Sequence, residues 1–211
     1  IEEKHSCITF IGGFQVIGKD GNDITGNFTP TLKNLLVLIL LNTISKKKGL
    51  SSEILTECFW FDKSDSSARN NLSVNIKRLR SLLEQVGDIQ VIHSNGYWTI
   101  QLSELIICDY KSLWQQMQII KNQPDTFTEE EMKVLLANVS KGSLLPSIQN
   151  EWIDNYKSEY TTLVIDALRL IFDEKKNKYS NEVKLKICDV ILLLDSLDED
   201  ALIEKCRLLY T

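Results

Sequence analysis

Histidine is nearly missing from this sequence, with His5 and His93 the two in 211 residues, and methionine and proline are almost as scarce. So few imidazoles exclude a histidine-rich metal site. A Ser/His/Asp triad would have to use one of two isolated rings, neither in a catalytic motif. The five cysteines, Cys7, Cys58, Cys108, Cys188 and Cys206, are scattered, odd in number and without CxxC spacing, which argues against a disulfide framework and against zinc. A reducing, cytoplasmic setting fits that usage. No Walker loop, GxGxxG after a strand, HExxH or GxSxG occurs either, so the chain reads as a non-enzyme with no cofactor. The longest apolar run, residues 35–41, is far short of the roughly 20 residues a membrane-spanning helix needs. Residues 1–11 mix Glu, Lys and His rather than forming a secretory leader. The chain opens on Ile and stops inside a helical pattern, so the expectation is a soluble piece of a longer protein that makes no membrane contact.

What is present is unevenly charged. Residues 1–100 hold 11 Lys and Arg against 10 Asp and Glu, whereas residues 101–211 hold 13 against 19. The two halves are therefore suited to different partners. Length and 43% hydrophobic content allow two ordinary domains, and the change of pattern puts the boundary near residue 102.

The first half mixes strand and helix signals. ITFIGGFQVIGKDGNDI alternates apolar and polar residues around Gly12-Gly13 and Lys19 to Asn22, which predicts strands joined in a hairpin. Thr29-Pro30-Thr31 then starts a helix, a hydroxyl accepting an orphan amide and a proline standing where its missing N–H costs little. That helix, from Leu32 to about Ile44, is apolar enough to be buried on most sides, and Lys46 to Gly49 end it. A short helix over 52–59 follows, then a polar loop, a longer helix over 66–83, and two strands about Ser94-Asn95-Gly96. From Ser103 onward no strand is predicted. Apolar residues recur at helical spacing in 110–120, 132–139, 152–172, 183–194 and 201–210, which predicts stacked helix pairs, although no clean 34-residue tetratricopeptide consensus is visible. The acidic runs Glu129 to Glu131 and Asp198 to Asp200 fall at helix starts, where negative charge favours the helix dipole.

Residues 66–83, SSARNNLSVNIKRLRSLL, carry four cations and no acid in a chain of net charge −5. At about 100° per residue, Leu72, Ile76, Leu79 and Leu83 form one inward stripe. Asn70, Val74, Lys77 and Ser81 lie opposite, with Ser73 and Arg78 on the flanks and Arg80 nearer the core boundary. A cationic helix face is usually only a solvated surface. Here the helix stands between a short helix and a two-stranded turn, the order of a helix-turn-helix with a wing, whose second helix fits a major groove about 12 Å wide. Lys77 and Arg78, with Arg69 and Arg80, suit phosphates, and Arg78 can reach a guanine edge; Asn70 and Asn75 are of the side-chain type that pairs with adenine. Val74 has two readings: contact with a thymine methyl, or packing under a neighbouring loop.

Ala68-Arg69-Asn70, Leu72, Ile76, Arg78-Leu79-Arg80 and Leu83 together resemble the recognition helix of OmpR/PhoB-type winged helices, in the version carried by the antibiotic-regulatory (SARP) transcription factors. The resemblance extends over residues 7–102 through Thr29-Pro30-Thr31, Leu50-Ser51-Ser52-Glu53 with Leu55 and Trp60, and Asn95-Gly96-Tyr97. Residues 103–211 resemble the bacterial transcriptional activator domain of the same family at Cys108-Asp109-Tyr110 with Leu113, and at Gly142-Ser143-Leu144-Leu145-Pro146 with Trp152-Ile153. The resemblance implies an α+β winged helix-turn-helix (1–102) followed by an all-α tetratricopeptide-like domain (103–211). It also implies that Asn70, Ser73, Val74, Lys77 and Arg78 face the major groove, with Arg69, Asn75 and Arg80 nearer phosphates.

Two departures stand out. Trp98 occupies the place where the family commonly has a wing arginine, and Asp154-Asn155-Tyr156-Lys157 stands where many activator domains have an arginine. The partners implied are double-stranded DNA, RNA polymerase or other proteins, and a second copy on tandem repeats. The alternative function is a protein-interaction module whose winged helix no longer binds DNA.

Overall fold

The leucine-rich run does what its composition demands. In the computed structural model, which describes residues 6–175 and 178–210, it forms helix α1 (Pro30–Lys46), capped by the Thr29 hydroxyl, which accepts from the Leu32 amide at 3.4 Å. Every residue from Leu35 to Leu41 is buried, so over that stretch α1 has no solvent face and serves as the pillar of its unit. Each fully buried leucine or isoleucine contributes about 1.5–3 kcal/mol. The helix ends on Lys47, which adopts the left-handed conformation (φ 52°); Gly49 lies beyond the stop. His5 lies outside the described residues.

Around the pillar the first part of the chain forms two small sheets. Strands β1 (Cys7–Thr9) and β2 (Gln15–Ile17) pair antiparallel, in register Ile8 with Val16, as the hairpin reading expects. A third strand was not legible. β6 (Ile107–Cys108) pairs parallel with β1, giving the order β2-β1-β6, and corrects the expectation that strands end before Ser103. Two residues carry no period, and this strand exists because β1 offers it an edge. The second sheet consists of β3 (Leu50–Ser51), β4 (Ile89–Ser94) and β5 (Tyr97–Leu102), in the order β3-β5-β4. Asn95 and Gly96, with φ of 52° and 83°, turn β4 into β5. Between these strands lie α2 (Ser52–Trp60) and α3 (Asp65–Leu83), and α1 packs against α3 and β5.

The chain divides into two units, one formed by the residues up to Thr9 and Phe14–Cys108, the other by Phe10–Gly13 and Asp109–Thr211. The second unit is helical: α4 (Asp109–Asn122), α5 (Glu129–Val139), α6 (Glu151–Lys175), α7 (Asn181–Leu194) and α8 (Glu199–Leu209). Each follows the apolar spacing read from the sequence within a few residues. Helix α4 packs on α5 and α6, and α7 on α5, α6 and α8. The acidic helix starts act as caps. Thr128 and Glu131 form a capping box on α5, and Asp198 caps α8 while pairing with Arg169.

Phe10–Gly13 belongs to this helical unit through backbone bonds: Gly12 N–H donates to Ser143 O at 2.9 Å and Leu145 N–H to Phe10 O at 2.8 Å. Gly12 sits at φ +78°, and a Cβ there would stand 2.4 Å from the Lys141 carbonyl oxygen; only glycine fits. All five cysteines are free thiols, and burial pushes Cys188 up to about 11. Among the described residues no helix is long and apolar enough to cross a membrane, and no group of three His, Cys, Asp or Glu could hold a metal ion.

Candidate nucleic-acid interface

Helix α3 buries Ala68, Leu72, Ile76, Leu79, Leu82 and Leu83, which contains the stripe computed from 100° spacing. Because that stripe is committed inward, Arg69, Asn70, Ser73, Lys77 and Arg78 must face solvent, and all five are exposed. Val74 is 41% exposed. The helix begins one residue earlier than the basic run, so Asp65 supplies a carboxylate in its first turn, where it favours the dipole.

Two of the sequence-derived residues are engaged locally. Asn75 is half-buried, and its Nδ2 donates to the Asn71 carbonyl oxygen at 2.8 Å. Its amide is turned onto its own helix. Arg80 reaches the hairpin instead: Nε and Nη2 donate to the Val91 carbonyl oxygen at 3.2 and 2.7 Å, and the guanidinium lies 5.7 Å from the centre of the Trp98 ring. The fork is thereby partly spent on holding β4 against α3.

Trp98 explains that arrangement. It is half-buried; its Nε1–H donates to Ser52 Oγ at 2.9 Å at the start of α2, and the His93 ring stacks on it at 4.3 Å with 22° between planes. One indole therefore touches α2, α3 and the neighbouring strand. His93 and Ser52 were not singled out from sequence, although a signal existed. With a two-residue turn at Asn95-Gly96, positions 93 and 98 are directly opposite on the hairpin.

Between α2, α3 and the hairpin runs an open groove of about 1110 Å³. Helix α2 lines it with Glu53 and Glu57, α3 with Asp65, Arg69, Lys77 and Arg80, and the hairpin with His93 and Trp98. The α3 cations of such a surface attract a polyanion and its carboxylates repel one.

Replacing Trp98 tests how the hairpin is held. Trp98→Ala removes the stack, the Arg80 contact and the Ser52 bond, and is expected to cost about 1–3 kcal/mol in urea denaturation. Trp98→Phe keeps a ring and loses chiefly the hydrogen bond, about 1 kcal/mol. Equal losses in the two variants would show that the ring contacts contribute nothing.

No family model matches the chain, and no curated protein matches it. Among solved structures, Mycobacterium tuberculosis EmbR in complex with a low affinity phosphopeptide is similar in fold, with a TM-score of 0.53 and 16% sequence identity over 98% of this chain and 59% of that one. The present chain thus spans well under two thirds of that protein's length.

Proposed function

We propose that this chain is a sequence-specific DNA-binding transcription regulator of SARP type. In this reading residues up to about 102 form a winged helix-turn-helix: α2 and α3 are the helix-turn-helix, α3 enters the major groove, and the β4–β5 hairpin is the wing. The helical part from about 103 is a tetratricopeptide-like activator domain that serves oligomerisation or contacts protein partners, RNA polymerase among them. The observation that carries the reading is the outward face of α3, where Arg69, Asn70, Ser73, Val74, Lys77 and Arg78 are exposed together and no acid interrupts them. The fold likeness to EmbR supports it at the level of architecture.

Arg78 reads a base edge, Asn70, Ser73, Val74 and Lys77 line the groove floor, and Arg69 meets a phosphate. Arg80 acts mainly by fixing the wing, and Asn75 by bracing the helix. A second reading, an interaction module without DNA affinity, draws on Glu53, Glu57 and Asp65 beside the groove. Selection of bound sequences from random duplex at low salt separates the two. A regulator enriches a defined site, and Arg78→Ala then lowers affinity for it by about 1–3 kcal/mol and relaxes specificity at one position. No enrichment, or a folded Lys77→Ala/Arg78→Ala variant that binds the selected site unchanged, would overturn the proposal in favour of the module.

A further inference from the structure

We infer that His93 is an additional contact of this interface, one that binds a backbone phosphate in its protonated form and so couples DNA binding to proton uptake. The inference rests on the DNA-binding reading above. His93 is exposed on β4, two residues before the hairpin turn, and lines the same groove as Arg69, Lys77 and Arg80. Its ring is not a swinging surface side chain, because it lies flat on Trp98, which is itself tied to Ser52 and flanked by Arg80. A ring so oriented gives up little conformational entropy when its edge meets an anion.

The charges around it favour a switch. From α3 the groove presents Arg69, Lys77 and Arg80, with Asp65 at the helix start, and from α2 it presents Glu53 and Glu57. A phosphate drawn to the α3 cations adds negative charge beside the imidazole and favours the imidazolium. The sign follows directly. If the bound state holds one more proton than the free state, affinity rises as pH falls.

The sequence makes the test clean, since His5 is the other histidine. Using the intact chain and its selected duplex at constant salt, fluorescence anisotropy from pH 8 to pH 6 should show affinity rising about three- to tenfold. His93→Phe keeps an aromatic ring on Trp98 and should abolish the rise. His5→Gln should retain the rise. Calorimetry of the wild-type complex in buffers of different ionisation enthalpy reads the proton uptake without any variant. A flat profile with no proton uptake, or a rise that survives in His93→Phe, overturns the assignment and leaves the DNA-binding reading standing. Failure to bind any duplex at any pH overturns both.

Discussion

Raising salt from about 50 to 200 mM should weaken the complex with the selected duplex by roughly 10³ if two copies bind side by side, and by only about 40-fold if one copy binds alone. The number of available cations sets the size of the effect. Arg69, Lys77 and Arg78 are exposed on α3, whereas Arg80 is held by Val91 and Trp98. With each of these three exposed cations displacing counterions as a phosphate contact does, the slope of log affinity against log salt is near −2.7, and with six it is near −5.4. The slope therefore reports stoichiometry as well as mechanism. Lys77→Ala should make it shallower by about 1 for each bound copy. The Glu53 and Glu57 carboxylates of α2 line the same groove, so their removal should raise non-specific affinity without adding sequence preference. A slope near zero would mean that phosphates are not the partners of these side chains.

Asp109→Ala should be among the most damaging single substitutions in the helical unit, at about 2–6 kcal/mol by chemical denaturation. The Asp109 carboxylate is buried, and its oxygens accept from Phe10 N–H at 2.8 Å and from Ile11 N–H at 2.9 Å. Truncation leaves those two amides without this acceptor, each at a cost of about 1–3 kcal/mol. Hydrogen exchange should localise the damage to Phe10 and Ile11 and to the Leu145 amide that bonds to Phe10 O.

The pH dependence has a definite sign. Burial pushes the Asp109 carboxyl up from the ordinary carboxylate range, against the lowering influence of the Ile11, Phe10 and Tyr110 amides and of Lys141. A native value above the unfolded one means that this group contributes its stability in acid and loses it as pH rises through the native value. Mild acid should therefore not release the Phe10–Gly13 segment through Asp109. If wild type and Asp109→Ala unfold at the same denaturant concentration, the carboxylate is not what holds the segment.

The elements that could be read in advance are those whose signal is local. The apolar run of α1, the inward stripe of α3, the Asn95-Gly96 turn and the helices from α4 to α8 are written in periods of 3.6 or 2 and in caps a few residues away. The same periodicity located the exposed face of α3, because a stripe committed to the core dictates what lies opposite. Asn75 escaped that logic, since an amide one turn from a backbone carbonyl can bond to it instead of facing out. Arg80 escaped it because its partner, the Val91 carbonyl, lies on a strand that only the folded chain brings near.

By itself, then, the order of residues determined which segments are helical and where the basic face lies, since both depend on neighbours along the chain. Tertiary structure decided which of the basic residues remain available, that β6 exists at all, and that Phe10–Gly13 belongs with helices beginning near position 109. The physical reason is the same in each case. A hydrogen bond such as that from Phe10 to Asp109, separated by 99 positions, leaves no periodic trace, and its stability appears only when folding has already removed both partners from water.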